Sequence, residues 1–200
     1  SADSILREAK LLSEQKDFKG TITDIGGPTV NLYKAQCPLW KTRGFCQNRN
    51  CLTPGQCNNL RLGYDAGLDL YAQVKKLPKV KHVFLSSGFR YDLFARPEGK
   101  RYLEEVLRSY ISGRMKVAPE HVSEKVLRIM NKSSFSSYRR FLDSFRQINQ
   151  KLDKKCFLVN YFITAHPGCG TDEAQKLSQY LKDSGIHPEQ IQDFIPLPMT

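Results

Sequence analysis

Short apolar, β-branched runs alternate with helical stretches along almost the whole chain. The runs centre on residues 20–25, 80–87, 114–118, 156–165 and 191–195, and Val83-Phe84-Leu85 typifies their near-continuous apolar character. Such runs suit parallel strands whose faces are covered by other elements. Between them the apolar period lengthens to that of a helix. Ile5, Leu6, Ala9 and Leu12 share one face of a first helix. A second is read from a cap at Asp65 through Leu70, Val74 and Leu77 to Pro78. A third runs from Ser137 through Phe141, Phe145 and Ile148. The last opens on Thr171-Asp172-Glu173 and stops at Gly185, with acid in its first turn and Lys182 in its last, as the helix dipole favours. This alternation predicts an α/β fold of about five parallel strands joined by crossover helices.

One interval breaks the rhythm. Residues 31–64 form an insertion after the first strand, and the stretch from Gly26 to Tyr64 holds four of the six cysteines, the only Trp, and no Asp or Glu. Every strand is followed by Gly, Pro and polar side chains: Gly26-Gly27-Pro28-Thr29, Ser87-Gly88-Phe89-Arg90-Tyr91-Asp92, Ala118-Pro119-Glu120-His121, Ala165-His166-Pro167-Gly168-Cys169 and Pro196-Leu197-Pro198-Met199-Thr200. In parallel α/β folds the carboxyl ends of the strands converge, so these phrases predict one shared site.

Composition narrows the partners. With 31 Lys and Arg against 20 Asp and Glu, the net charge of +11 favours anionic ligands such as nucleotides, nucleic acid or acidic cofactors. No apolar stretch is long enough to span a bilayer and no secretory leader is visible, so no membrane partner and a cytoplasmic location are expected.

The cysteines of the insertion, Cys37, Cys46, Cys51 and Cys57, are separated by eight, four and five residues, without a Cys-x2-Cys knuckle. Four thiolates can close a zinc site or an iron–sulfur cluster, and Lys34, Lys41, Arg43, Arg49 and Arg61 would balance the negative charge left over. Two disulfides, or reduced thiols packed under Trp40 and Phe45, are the other readings of the same residues, with disulfides disfavoured in a cytoplasmic chain. Cys156 is read as buried in a strand and Cys169 as exposed at the shared edge.

The strand-end phrases Asp24-Ile25-Gly26-Gly27-Pro28-Thr29, Ser87-Gly88-Phe89-Arg90-Tyr91-Asp92, Lys116-Val117-Ala118-Pro119-Glu120-His121 and Tyr161-Phe162-Ile163-Thr164-Ala165-His166-Pro167-Gly168 resemble, in order, those of the radical S-adenosylmethionine (SAM) superfamily, and of its YgiQ-type group in particular. The resemblance covers nearly all 200 residues. It implies a partial TIM-like (β/α) barrel lacking its first strand, with residues 1–200 as the C-terminal part of that barrel. The superfamily's Cys-x3-Cys-x2-Cys loop, which ligates a 4Fe-4S cluster, does not occur in this sequence. That loop is therefore expected upstream, in a longer protein of which this chain is a segment.

In that superfamily a reduced cluster cleaves SAM to methionine and a 5′-deoxyadenosyl radical, which abstracts hydrogen from a substrate. The resemblance implies a SAM-binding role for this chain, and little activity from it alone. Gly26 and Gly27 match the glycine-rich end that accepts the SAM ammonium. Thr29 stands where many relatives carry a polar or acidic residue, because Gly-Gly-Pro-Thr replaces the commoner Gly-Gly-Glu. Glu120 and His121 are candidates for the ribose hydroxyls and Arg90 for a carboxylate. His166 joins the same constellation, and Met199 with Ile195 would flank adenine. The substrate and electron donor are left unassigned.

Plainer readings stand beside these. Gly-Gly-Pro is a common turn, and Arg90 with Asp92 can form a local ion pair. A different class of function is a metal-stabilised, basic nucleic-acid-binding module, using Lys75, Lys76, Lys79 and Lys81 as one patch and Arg139 with Arg140 as another. The same charges also suit solvated helix faces.

Overall fold

The computed structural model describes residues 1–186, 188 and 190–196. Met199, expected beside adenine, lies outside the described residues. The elements run α1 (Ala2–Glu14), β1 (Thr21–Ile22), α2 (Trp40–Arg43), α3 (Tyr64–Lys75), β2 (His82–Val83), β3 (Gly88–Phe89), α4 (Pro97–Ser109), β4 (Arg114–Glu120), α5 (Glu124–Ile129), α6 (Phe135–Lys151), β5 (Phe157–Thr164), α7 (Thr171–Ser184) and β6 (Gln190–Asp193). Short 3-10 turns occupy Val30–Leu32 and Tyr91–Phe94.

All strand pairs are parallel. β1 pairs with β2, and a separate sheet has the order β3-β4-β5-β6, so consecutive strands are neighbours and each return passes through a helix. The expected strand over 80–87 is divided. His82–Val83 pairs with β1, and the chain then pairs again only at Gly88–Phe89, with β4. Phe84 donates to Ile22 O at 2.9 Å, but Ser86 and Ser87 turn to the side chain of Asp24 instead of continuing a ladder. Two sheets therefore share one running segment. The other strands lie where the apolar runs placed them, with β4 extended to Glu120.

β4 shows why a sheet forms here: its alternating residues Met115 and Val117 are buried to 1% exposure or less against the helices. α4 supplies the facing layer through Tyr102, Leu103, Val106 and Leu107. This helix has readable punctuation, with Pro97 in its first turn followed by Glu98, and a strongly periodic apolar face. Polar atoms inside this layer are partnered: the Tyr138 hydroxyl donates to Asn160 Oδ1 at 2.7 Å, and Tyr71 and Tyr102 share a bond of 3.0 Å.

The start of α3 differs from the sequence expectation. Gly63 precedes the helix, and Asp65, in the first turn, pairs with Arg101 at 2.9 Å instead of capping. Close packing decides this, because a Cβ on Gly63 would lie 2.5 Å from the Tyr33 carbonyl oxygen. Gly185 ends α7 in the left-handed conformation, as read.

Candidate functional site

The end of β1 is organised by Asp24. Its Oδ1 accepts the N–H groups of Gly26 (2.8 Å) and Ser86 (3.1 Å), and its other oxygen accepts the Ser87 hydroxyl. Partial burial would raise the Asp24 carboxyl, but these donors outweigh it and hold the group below the ordinary carboxylate value. Gly26 is required here. A Cβ would come within 2.8 Å of Ser87 Cβ and 2.9 Å of Asp24 Oδ1 and Val30 Cγ2. Gly27 has open space on that side. It borders a cleft of about 430 Å³ shared with Ile5, Ile25, Thr29, Tyr33 and Tyr71. Among the described residues the buried Tyr33 hydroxyl has no hydrogen-bond partner, a condition that ordinarily costs about 1–3 kcal/mol.

Buried Asn31 carries this loop to the next strand end. Its amide accepts from Arg90 N at 3.0 Å and donates to Arg90 O at 2.8 Å, across 59 positions of sequence. The Arg90 side chain turns to Asp92 through Nε (3.1 Å) and Nη2 (2.6 Å), and Asp92 also accepts from Ser133 at 2.6 Å. The local ion pair read from the sequence is thus formed, and Nη1 is the one guanidinium nitrogen outside it.

Glu120, at the end of β4, has a left-handed backbone (φ +66°), and so does Ala165 after β5 (φ +55°). Each such residue costs roughly 1–2 kcal/mol, held in place by the surrounding fold. Glu120 Oε1 pairs with Lys132 Nζ at 2.9 Å. His121 is wholly buried. Its Nδ1 accepts the Ser123 N–H at 3.0 Å, so the neutral ring carries its proton on Nε2, which lies 3.5 Å from Cys169 Sγ. Burial lowers the His121 pKa, Glu173 opposes that shift and His166 adds to it. His121 therefore faces Cys169 inside the edge, and Cys169 is half-buried rather than freely exposed. His166 packs edge-on against Phe194 at 4.6 Å and bonds Pro167 O through Nδ1 at 2.9 Å.

Gly26, Gly27, Thr29, Arg90, Glu120, His121 and His166 consequently lie along one carboxyl edge of the parallel strands. Asn31 links the first two strand ends, the strand register sets Glu120 beside Phe162, and the His121–Cys169 contact joins β4 to β5. Asn31, Lys132, Ser133 and Tyr33 were not singled out from sequence. Asp24 had a readable signal, since an Asp two residues before Gly favours an Asx turn.

The insertion is a lobe closed at its base by an antiparallel bridge between Gln36 and Arg61, with N–H···O distances of 2.9 and 2.8 Å. Cys37 and Cys57 are buried, Cys51 is half-buried, Cys46 is exposed, and none of the six cysteines forms a disulfide. Burial, then the neighbouring Cys57, Cys46 and Cys37, push the Cys51 thiol up. Among the described residues no three His, Cys, Asp or Glu side chains are gathered in ligating geometry. Packing under Phe45 does not occur: Trp40 and Phe45 touch at 5.3 Å, but Phe45 is 77% exposed. The lobe docks through Thr53 Oγ1 on Asn131 O (2.9 Å) and through Arg96 on Gln56 O (2.9 Å) and Asn58 (3.0 Å).

The fold and this edge define a parallel α/β protein with a polar strand-end site and an inserted cysteine lobe. No protein-family model matches the chain. It is similar along its whole length to proteins named UPF0313: 44% identical over 200 residues to one from Methanocella arvoryzae, covering 33% of that protein. A Clostridium perfringens protein is 42% identical over the same length with 30% covered, and one from Methanosarcina acetivorans is 43% identical with 27% covered. The chain thus spans about a third of the length of the curated relatives it matches. Among the described residues no helix is long and apolar enough to cross a membrane.

Proposed function

We propose that this chain is the SAM-binding part of a radical SAM enzyme, with its strands forming part of a TIM-like barrel and the cluster-ligating loop in another segment of a longer protein. The observation that carries this reading is the meeting of the four family-like strand-end phrases along one edge. When bound, SAM and a reduced 4Fe-4S cluster supply a 5′-deoxyadenosyl radical for hydrogen abstraction. This chain's residues bind and orient. Gly27 leaves the space in which backbone groups can accept an ammonium, and Asp24 fixes that turn from beneath. The unpaired Tyr33 hydroxyl beside the same cleft is a ready donor or acceptor. The second oxygen of Glu120 is suited to a ribose hydroxyl, while Lys132 holds the first. Arg90 keeps both N–H groups of Nη1 and the second N–H of Nη2 for a carboxylate, and His121 acts by positioning Cys169.

The lobe is read as a second metal site of Cys37, Cys46, Cys51 and Cys57. Four thiolates among five cations and no carboxylate are a donor set suited to zinc or an iron–sulfur cluster.

Gly27→Val tests the SAM site. Open space at this position lets the variant fold with unchanged Tm, and it should weaken SAM binding at least about tenfold by equilibrium dialysis of the cluster-loaded full-length protein. Wild-type affinity in a folded Gly27→Val protein would contradict the assignment. The 200-residue chain alone should produce no 5′-deoxyadenosine under anaerobic reducing conditions.

A further inference from the structure

The cysteine lobe has a second property beside its thiols. From Lys41 to Asn50 every residue is exposed. Lys41, Arg43 and Arg49 have no acidic partner among the described residues, and the whole insertion contains no Asp or Glu to provide one. Between these cations stands Phe45, its ring 77% exposed and braced at 5.3 Å by Trp40. An aromatic face held out to solvent among unpaired cations is the pairing that binds an unpaired polynucleotide: bases stack on the ring while Lys and Arg meet the phosphates. A duplex keeps its bases stacked on one another and offers nothing to such a ring. The exposed side-chain amides of Gln47 and Asn48 make no hydrogen bond among the described residues, and each can donate and accept, which matches a ribose 2′-hydroxyl and the edges of unpaired bases.

We propose that this lobe binds an unpaired segment of RNA. Its position gives the contact a direction. Thr53 of the lobe holds Asn131 O, and the next residue, Lys132, holds Glu120. A strand lying across Phe45 is therefore led toward the strand-end site. Using that RNA as the substrate rests on the SAM reading; the RNA contact itself does not. The earlier candidate patch of Lys75, Lys76, Lys79 and Lys81 lies at the far end of α3, where β2 begins, on the opposite edge of the strands.

The test is fluorescence anisotropy of the 200-residue chain with a labelled, unpaired RNA of about 12 nucleotides, between roughly 50 and 200 mM salt. Phe45→Ala should weaken binding about tenfold with Tm unchanged. The double variant Arg43→Ala/Arg49→Ala should lower the log–log salt slope by about 1.4. DNA of the same sequence and duplex RNA should bind more weakly. Absence of binding at the lower salt, equal binding of the DNA or the duplex, or wild-type behaviour of both variants would overturn the proposal. Gly27→Val should leave RNA binding unchanged, so a failed SAM site and a failed RNA site give different results.

Discussion

The strand-end edge and the cysteine lobe are built on opposite principles. Along the edge almost every polar group has a partner inside the chain: Asp24 gathers three donors, Asn31 clasps the Arg90 backbone in both directions, and Arg90, Asp92 and Ser133 form one cluster. Among the described residues the lobe's thiols make no hydrogen bond, its Lys41, Arg43 and Arg49 make no ion pair, and Phe45 stands exposed. A region satisfied from within is already shaped before a ligand arrives, which lowers the entropy cost of binding. A region left unsatisfied takes its order and its chemistry from what it binds. Under the proposed function the edge is a preformed cradle, and the lobe is a segment that metal and a partner would complete.

The largest effect expected from this contrast is in the lobe's metal content. Cys46→Ser and Cys51→Ser should each reduce the zinc or iron found in anaerobically purified protein from stoichiometric to trace, and metal content unchanged by both would remove the four-cysteine site. The edge should respond through stability instead. Asn31→Ala leaves the Arg90 N–H and C=O without their buried partner and should cost about 1–3 kcal/mol in urea unfolding; a loss below about 0.5 kcal/mol would show that the two strand ends are not held this way.

Neutral His121 gives the edge a pH signature. Its folded pKa lies below the unfolded value near 6.5, so the unfolded state takes up a proton first as pH falls. Its contribution is complete above about pH 6.5 and is lost as pH falls toward the folded pKa, with a slope of at most about 1.4 kcal/mol per pH unit. His121→Gln should flatten that part of the stability profile, and an equally steep profile in the variant would assign the loss elsewhere. The smallest effect is Phe45→Ala, within about 0.5 kcal/mol of wild type in the absence of ligands, because an exposed ring contributes little to folding.

Much of the fold was legible because covered parallel strands leave apolar runs, and buried Val83 and Leu85 lie in such a run. The division of the segment 82–89 was not legible. Its apolar run ends where Ser86 and Ser87 are drawn to a carboxylate more than sixty positions away in sequence, and no local period records a long-range hydrogen bond. For the same reason Asn31 passed unnoticed, and so did the pairing of His121 with Cys169. The exposure of Phe45 also eluded the sequence, since an aromatic beside cysteines reads naturally as packing for them. α4 carries a full helical signal in Pro97, Tyr102, Leu103, Val106 and Leu107, whose spacing puts one apolar face toward the core.

The central claim is that separate strand ends enclose one SAM molecule, and amide hydrogen exchange of the cluster-loaded full-length protein with and without SAM tests it most directly. The account predicts protection by SAM at three distant stretches together: residues 24–29, residues 120 and 121, and residues 165 and 166. Protection confined to the lobe or to α3, with those three stretches exchanging as in the free protein, would contradict it.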